Sequence, residues 1–188
     1  MLKFLAAIVV ALSASVASAN IVYNVNRSIG AGSVVGTIET DGTLGTLSSA
    51  NIVDWTFTLT SASLTLGSPS VITMAGGGLT FEVGGLFSAT AFDLTFDFSG
   101  APGGFMLFQG SGGGNYWCLQ TNGCFNFDGA MEAIGFGPNG SFGIEAETAA
   151  YSTAQVVASV GNAIPEPGML CLLGLGLLGL GASRRKRA

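Results

Sequence analysis

Asp93-Leu94-Thr95-Phe96-Asp97-Phe98 alternates strictly between apolar and polar residues. Successive side chains of an extended chain point to opposite faces, so Leu94, Phe96 and Phe98 share one side and Asp93, Thr95 and Asp97 the other. Trp55-Thr56-Phe57-Thr58-Leu59-Thr60 repeats the pattern with its threonines outward. Shorter alternating pieces lie at Leu64-Thr65-Leu66, Leu79-Thr80-Phe81-Glu82-Val83 and Phe142-Gly143-Ile144-Glu145-Ala146. Val71 to Met74, Phe105 to Phe108 and Gln155 to Val160 are further strand candidates. Breaks such as Asp41-Gly42, Gly76-Gly77-Gly78, Gly112-Gly113-Gly114 and Asn139-Gly140 separate them. Many short strands at close spacing predict an all-β domain, an antiparallel β-sandwich or barrel. One short helical turn is expected at Ser48-Ser49-Ala50-Asn51-Ile52-Val53, with Ser48 as its cap. Thirteen phenylalanines, all but Phe4 within residues 20–163, and two tryptophans can fill the core, Trp55 among them.

Both ends of the chain depart from this pattern. Lys3, the apolar stretch Phe4 to Leu12 and Ala17-Ser18-Ala19 have the order of a secretory signal peptide. We expect a signal helix over residues 1–19, cleaved after Ala19 to leave Asn20 first. The alternative, an uncleaved anchor, is disfavoured by an apolar core too short to span a bilayer. At the other end stand Ile164-Pro165-Glu166-Pro167, an apolar run read as a membrane helix over 168–183, and the basic cluster Arg184, Arg185, Lys186 and Arg187. About fifteen apolar residues rising ~1.5 Å each reach roughly 22 Å, short of the ~30 Å hydrocarbon core. Either flanking residues snorkel or the span is transient. The cations hold that end in the cytoplasm and place the domain outside. Glycines 168, 174, 176, 179 and 181 never fall four apart, so no GxxxG pairing face exists. Pro165 and Pro167 stop the helix from propagating and keep Glu166 extended.

Pro-Glu-Pro, a short Leu/Gly span and a terminal Arg/Lys cluster together resemble the PEP-CTERM sorting signal of Gram-negative bacteria. The resemblance covers residues 164–188. It implies an exported precursor anchored in the inner membrane and facing the periplasm. An exosortase-type enzyme would process it near Pro165, Glu166 and Pro167 and release it to the cell surface or the medium, in the way other tripartite C-terminal signals are removed. The resemblance also implies a place beside extracellular polysaccharide and biofilm matrix. An ordinary, uncleaved tail anchor is the competing reading. Within residues 20–163, Gly42-Thr43-Leu44-Gly45, Asp54-Trp55-Thr56-Phe57, Phe96-Asp97-Phe98-Ser99-Gly100 and Tyr116-Trp117-Cys118 resemble a domain recurrent among such proteins, one with no established activity.

Residues 20–163 hold one arginine, Arg27, against ten carboxylates, a net charge of −9 compared with −5 for the whole chain. Nucleic-acid binding is excluded, since a single cation neutralises almost no phosphate. Without histidine there is no nucleophilic triad, and a zinc site would lack ligands. Ser111-Gly112-Gly113-Gly114-Asn115 is not a phosphate loop, because no Lys follows it. Asp93 and Asp97 read as a solvated sheet face, or as half of a calcium site with Asp128 or Glu132. Glu132, Glu145 and Glu147 could pair as glycosidase carboxylates, which need specific separations in space. No catalytic residue, metal or cofactor is assigned, and the domain is expected not to be an enzyme.

Cys118 and Cys124, in an exported chain, are expected to form a disulfide. If Asn122-Gly123 were the centre of a tight hairpin, Cys118 would face Phe127 and not Cys124, so the bond requires a wider loop. Cys171 falls in the apolar run, as a packing thiol or a lipidation site. Tyr116 and Trp117 are the candidate ligand surface. A structural matrix protein is the leading reading. A lectin-like carbohydrate-binding module is the alternative, and it requires Tyr116 or Trp117 to be exposed beside a groove.

Overall fold

A computed structural model describes residues 19–64, 68–122, 124, 129–147 and 153–161. Its strands, numbered along the chain, are β1 (Ile21–Ile29), β2 (Gly32–Thr40), β3 (Gly45–Thr46), β4 (Ile52–Ser61), β5 (Ser70–Thr73), β6 (Leu79–Val83), β7 (Phe87–Ala89), β8 (Asp93–Asp97), β9 (Phe105–Gln109), β10 (Tyr116–Gln120), β11 (Met131–Phe136), β12 (Gly143–Glu147) and β13 (Ala154–Val160). They form an eight-stranded sheet in the order β3-β7-β8-β13-β1-β2-β4-β5 and a five-stranded sheet in the order β12-β11-β10-β9-β6. Every pairing is antiparallel, and the two sheets make a β-sandwich. A 3-10 turn at Ser49–Asn51 occupies the expected helical position, closed by the Asn51 Oδ1 that accepts the Ser48 N–H at 2.8 Å.

The strict alternations lie where the sequence places them. β8 buries Leu94 and Phe96, and Phe98 is buried just beyond it. β4 buries Trp55, Phe57 and Leu59 and turns its threonines out. Its phase slips once, because a bulge opposite Glu39 and Thr40 puts Val53 outside while Ile52 stays buried. Trp55, Phe57, Phe108 and Trp117 form the centre of the core. Phe57 meets Phe108 and Trp117 edge-on at 5.1 Å in each case, and Phe108 stacks on Trp117 at 5.4 Å. These rings come from β4 on one sheet and from β9 and β10 on the other, so aromatic packing joins the sheets.

Three features differ from the sequence expectation. In β6, Leu79, Phe81 and Val83 face solvent, while Thr80 points in and accepts the Trp55 Nε1–H at 2.7 Å. The inward position needs an oxygen for a buried indole, and that demand reverses the phase. Leu64 lies in a loop, with Thr65 and Leu66 outside the described residues, and Phe142 precedes β12. The largest hairpin, β1–β2, was not among the predicted strands. It closes through the two-residue turn Gly30-Ala31, with Gly30 at φ +56°, as tight hairpins favour. The expected signal helix and the membrane helix over 168–183 lie outside the described residues.

Contacts along the eight-stranded sheet fix how the second sheet crosses it. Glu145 of β12 reaches the β1–β2 turn, Glu132 of β11 reaches mid-strand Arg27, and Thr80 of β6 reaches Trp55 near the start of β4. β12 and β11 are thus met in turn along β1, and β6 near the start of β4. Tyr23 of β1 pairs with Val160 of β13, so the chain enters and leaves the fold side by side, at the pole opposite the β1–β2 turn.

Candidate functional site

Arg27 occupies an inward position between Val25 and Ile29 on β1, where the alternation calls for an apolar residue. It is there because Glu132 on β11 faces it from the other sheet. Nε donates to the two carboxylate oxygens at 3.3 and 3.1 Å, and the Nη2 group donates to Oε2 at 2.6 Å. Trp117 Nε1–H donates to Oε1 at 2.9 Å. The Glu132 side chain is 0% exposed and that of Arg27 20%. Arg27 Nη1 also donates to the Val156 carbonyl at 3.2 Å, beside the bulge between Val156 and Ala158 where β13 shifts register against β8. The only cation of residues 20–163 is therefore an interior clamp linking both sheets.

Glu145 makes a second clamp at the far pole. Its carboxylate accepts the Ser61 hydroxyl at 2.6 Å, the Ser63 hydroxyl, and the Ala31 N–H at 3.3 Å. The Ser61 and Ser63 hydroxyls, with the Ala31 amide, hold its carboxyl below the usual glutamate range, against the opposing effect of burial. Glu132 lies opposite Glu147 in the β11–β12 register, yet Glu132 and Glu145 are each engaged in bonds that join the sheets. The glycosidase arrangement therefore has no support in their geometry. Asp93 and Asp97 project from the eight-stranded sheet, Asp93 accepting the Ser159 hydroxyl at 2.7 Å, while Glu132 is interior. Those carboxylates do not converge, and Asp128 lies outside the described residues.

The ligand surface expected at Tyr116 and Trp117 is corrected by the structure, because both side chains are fully buried. Trp117 faces inward onto Phe57, Phe108 and Glu132. Tyr116 lies on the opposite face of β10, over Gly135, where any Cβ would fall 2.1 Å from the ring. Burial pushes its phenol up to about 12. That face holds a second apolar cluster of Leu107, Tyr116, Cys118 and Cys124. Cys118 and Cys124 form a disulfide with Cα atoms 6.6 Å apart. The β10–β11 connection spans residues 121–130, the wider loop that the bond requires, and the Cys124 N–H donates to Gln120 Oε1 at 2.6 Å.

The exposed feature with chemical regularity is the outer face of the eight-stranded sheet. Cross-strand register aligns Ser159, Asn24, Thr37, Thr56 and Thr73 in one row across β13, β1, β2, β4 and β5. At ~4.8 Å per strand the row is about 19 Å long. A parallel line holds Ser28, Ser33 and Thr60, with the Ser33 and Thr60 hydroxyls 2.6 Å apart. At one end of the row, Asn24 and Ser159 line a groove of about 360 Å³ with Asn26, Arg27 and Val156. At the other end, Thr73 lines a cleft of about 330 Å³ bounded by Val71, Gly76, Ser111, Asn115 and Pro138. The row itself is uncharged, and its hydroxyls and amide can donate and accept hydrogen bonds along an extended neutral ligand. The row went unread because β1 and β2 were not recognised. Only register brings its members together.

Asn20 is the one described residue that the expected signal cleavage would make terminal, and its Nδ2 donates to Glu39 Oε1 at 2.7 Å. Ala17, Pro165, Glu166, Pro167, Arg184, Arg185, Lys186 and Arg187 lie outside the described residues. Among the described residues, no helix is long and apolar enough to cross a membrane. Residues 163–186 match the family model of the PEP-CTERM protein-sorting motif, about an eighth of the chain. No curated protein and no solved structure matches it.

Proposed function

We propose that this chain, which carries a PEP-CTERM sorting motif, is a non-catalytic structural protein of the cell envelope or extracellular matrix that associates with exopolysaccharide. The motif supports an exported protein sorted by an exosortase-type enzyme. On our reading the precursor is anchored in the inner membrane by residues 168–183, with its β-domain in the periplasm. Processing near Pro165-Glu166-Pro167 then releases the domain to the surface or the biofilm.

One observation carries the polysaccharide reading: the row Ser159-Asn24-Thr37-Thr56-Thr73, a line of hydroxyls and one amide that runs between two recesses on the sheet face. Such a face would bind weakly per site and gain strength from repetition along a polymer. The test is retention of the purified domain on exopolysaccharide from an exosortase-bearing host. Thr37→Val with Thr56→Val removes two hydroxyls at nearly constant shape. At ~0.5–1.5 kcal/mol per hydrogen bond, binding should weaken about tenfold. Equal retention of variant and wild type, or no retention of either, would refute this use of the face.

A further inference from the structure

We infer that the pole at which the chain enters and leaves the domain is a lipid-facing surface, resting on a zwitterionic bilayer while residues 168–183 hold the precursor. This rests on the membrane reading of that tail. Four exposed apolar side chains gather there: Phe92 (70% exposed), Leu44 (56%), Val22 (46%) and Val53 (43%). Val22 is the second residue of β1, Leu44 lies in the β2–β3 connection, Val53 at the start of β4, and Phe92 in the β7–β8 turn. Phe92 is not on a loose loop. Its carbonyl accepts the Val160 N–H at 2.7 Å, and the Thr90 Oγ1 accepts the N–H groups of Phe92 and Asp93 at 3.1 and 2.9 Å. The most exposed aromatic ring among the described residues is therefore held outward, directly beside the last strand residue before the tail.

Chain length limits where this pole can be. Seven residues, 161–167, separate β13 from the apolar run. Fully extended at ~3.4 Å each they reach roughly 24 Å, so a span that begins at Gly168 keeps the pole within about 24 Å of the hydrocarbon edge, close enough to rest on the headgroups. Tethering at that distance makes even a weak interfacial contact effective. Charge selects the lipid. Glu39, Asp41, Asp54 and Asp93 lie at the same pole, and they would oppose an anionic surface.

The test uses the full chain reconstituted into phosphatidylcholine vesicles with brominated acyl chains. Trp55 and Trp117 are buried, so an indole introduced at the surface reports separately. Flotation reads the tail, and quenching reads the pole. The inference predicts that Phe92→Trp and Leu44→Trp chains float, show blue-shifted emission and are quenched by bromolipid. A Phe142→Trp chain, altered at an exposed site flanking β12, should float unquenched. Floating chains with no quenching from either pole position, or with equal quenching at all three, would overturn the inference and leave the tail reading intact. Chains that fail to float would overturn the tail reading and the inference with it.

Discussion

Replacing Arg27 with methionine should unfold this domain more readily than any change to its exposed face. The substitution keeps most of the aliphatic volume and removes the guanidinium that makes three contacts to Glu132. Glu132 is wholly buried, and the Trp117 indole N–H that it also accepts carries no charge to replace the guanidinium. Breaking a buried pair by removing one partner costs about 3–5 kcal/mol, because the remaining charge is left uncompensated. Removing the other partner should cost less. In Glu132→Gln the amide oxygen can still accept the indole N–H, and Arg27, 20% exposed, can recruit water, so ~1–3 kcal/mol is expected. The double variant should be more stable than Arg27→Met alone, since no orphaned carboxylate remains. Urea unfolding followed by tryptophan fluorescence measures all three, with an unchanged m-value as the check on two-state behaviour. A cost for Arg27→Met within ~0.5 kcal/mol of zero would mean a surface-like pair, and simple additivity would mean no coupling. Either result refutes the clamp.

Two further perturbations address the rest of the frame. Glu145 is held below the usual carboxylate range by the Ser61 and Ser63 hydroxyls and the Ala31 amide, so its folded-state affinity for protons is lower than in the unfolded chain. Its contribution is present above the ordinary glutamate range, near pH ~4.3, and is lost as pH falls through and below it. Glu145→Gln should cost ~1 kcal/mol at neutral pH and flatten the acid limb of a stability-against-pH curve, and an unchanged acid limb would contradict this. Replacing Cys118 and Cys124 together by serine opens a short loop and should lower stability by about 2 kcal/mol, measured by the same unfolding assay against the oxidised protein.

The parts of the fold legible in the sequence are those where one face is buried and the other wet. β8 and most of β4 announce themselves by alternation, and both are found. β10 and β11 do not, because nearly every residue in them is buried and period two disappears when both faces are covered. β1 was hidden by Arg27, a charge in an inward position that makes sense only once Glu132 is seen across the core. β6 was read as a strand with its phase reversed, since the hydrogen-bond need of Trp55 overrides simple apolarity at Thr80. Tyr116 and Trp117 look exposable as a sequence pair. On a central strand they go to opposite faces, and each face is covered. The Ser159-Asn24-Thr37-Thr56-Thr73 row is invisible along the chain, because its members are brought together by pairing of distant segments.

Intact-mass analysis of the protein recovered from an exosortase-bearing host tests the central claim most directly. The account predicts a mature chain that begins at Asn20 and ends near Pro167, without the apolar run or the basic cluster. A recovered chain still ending at Ala188 would contradict it.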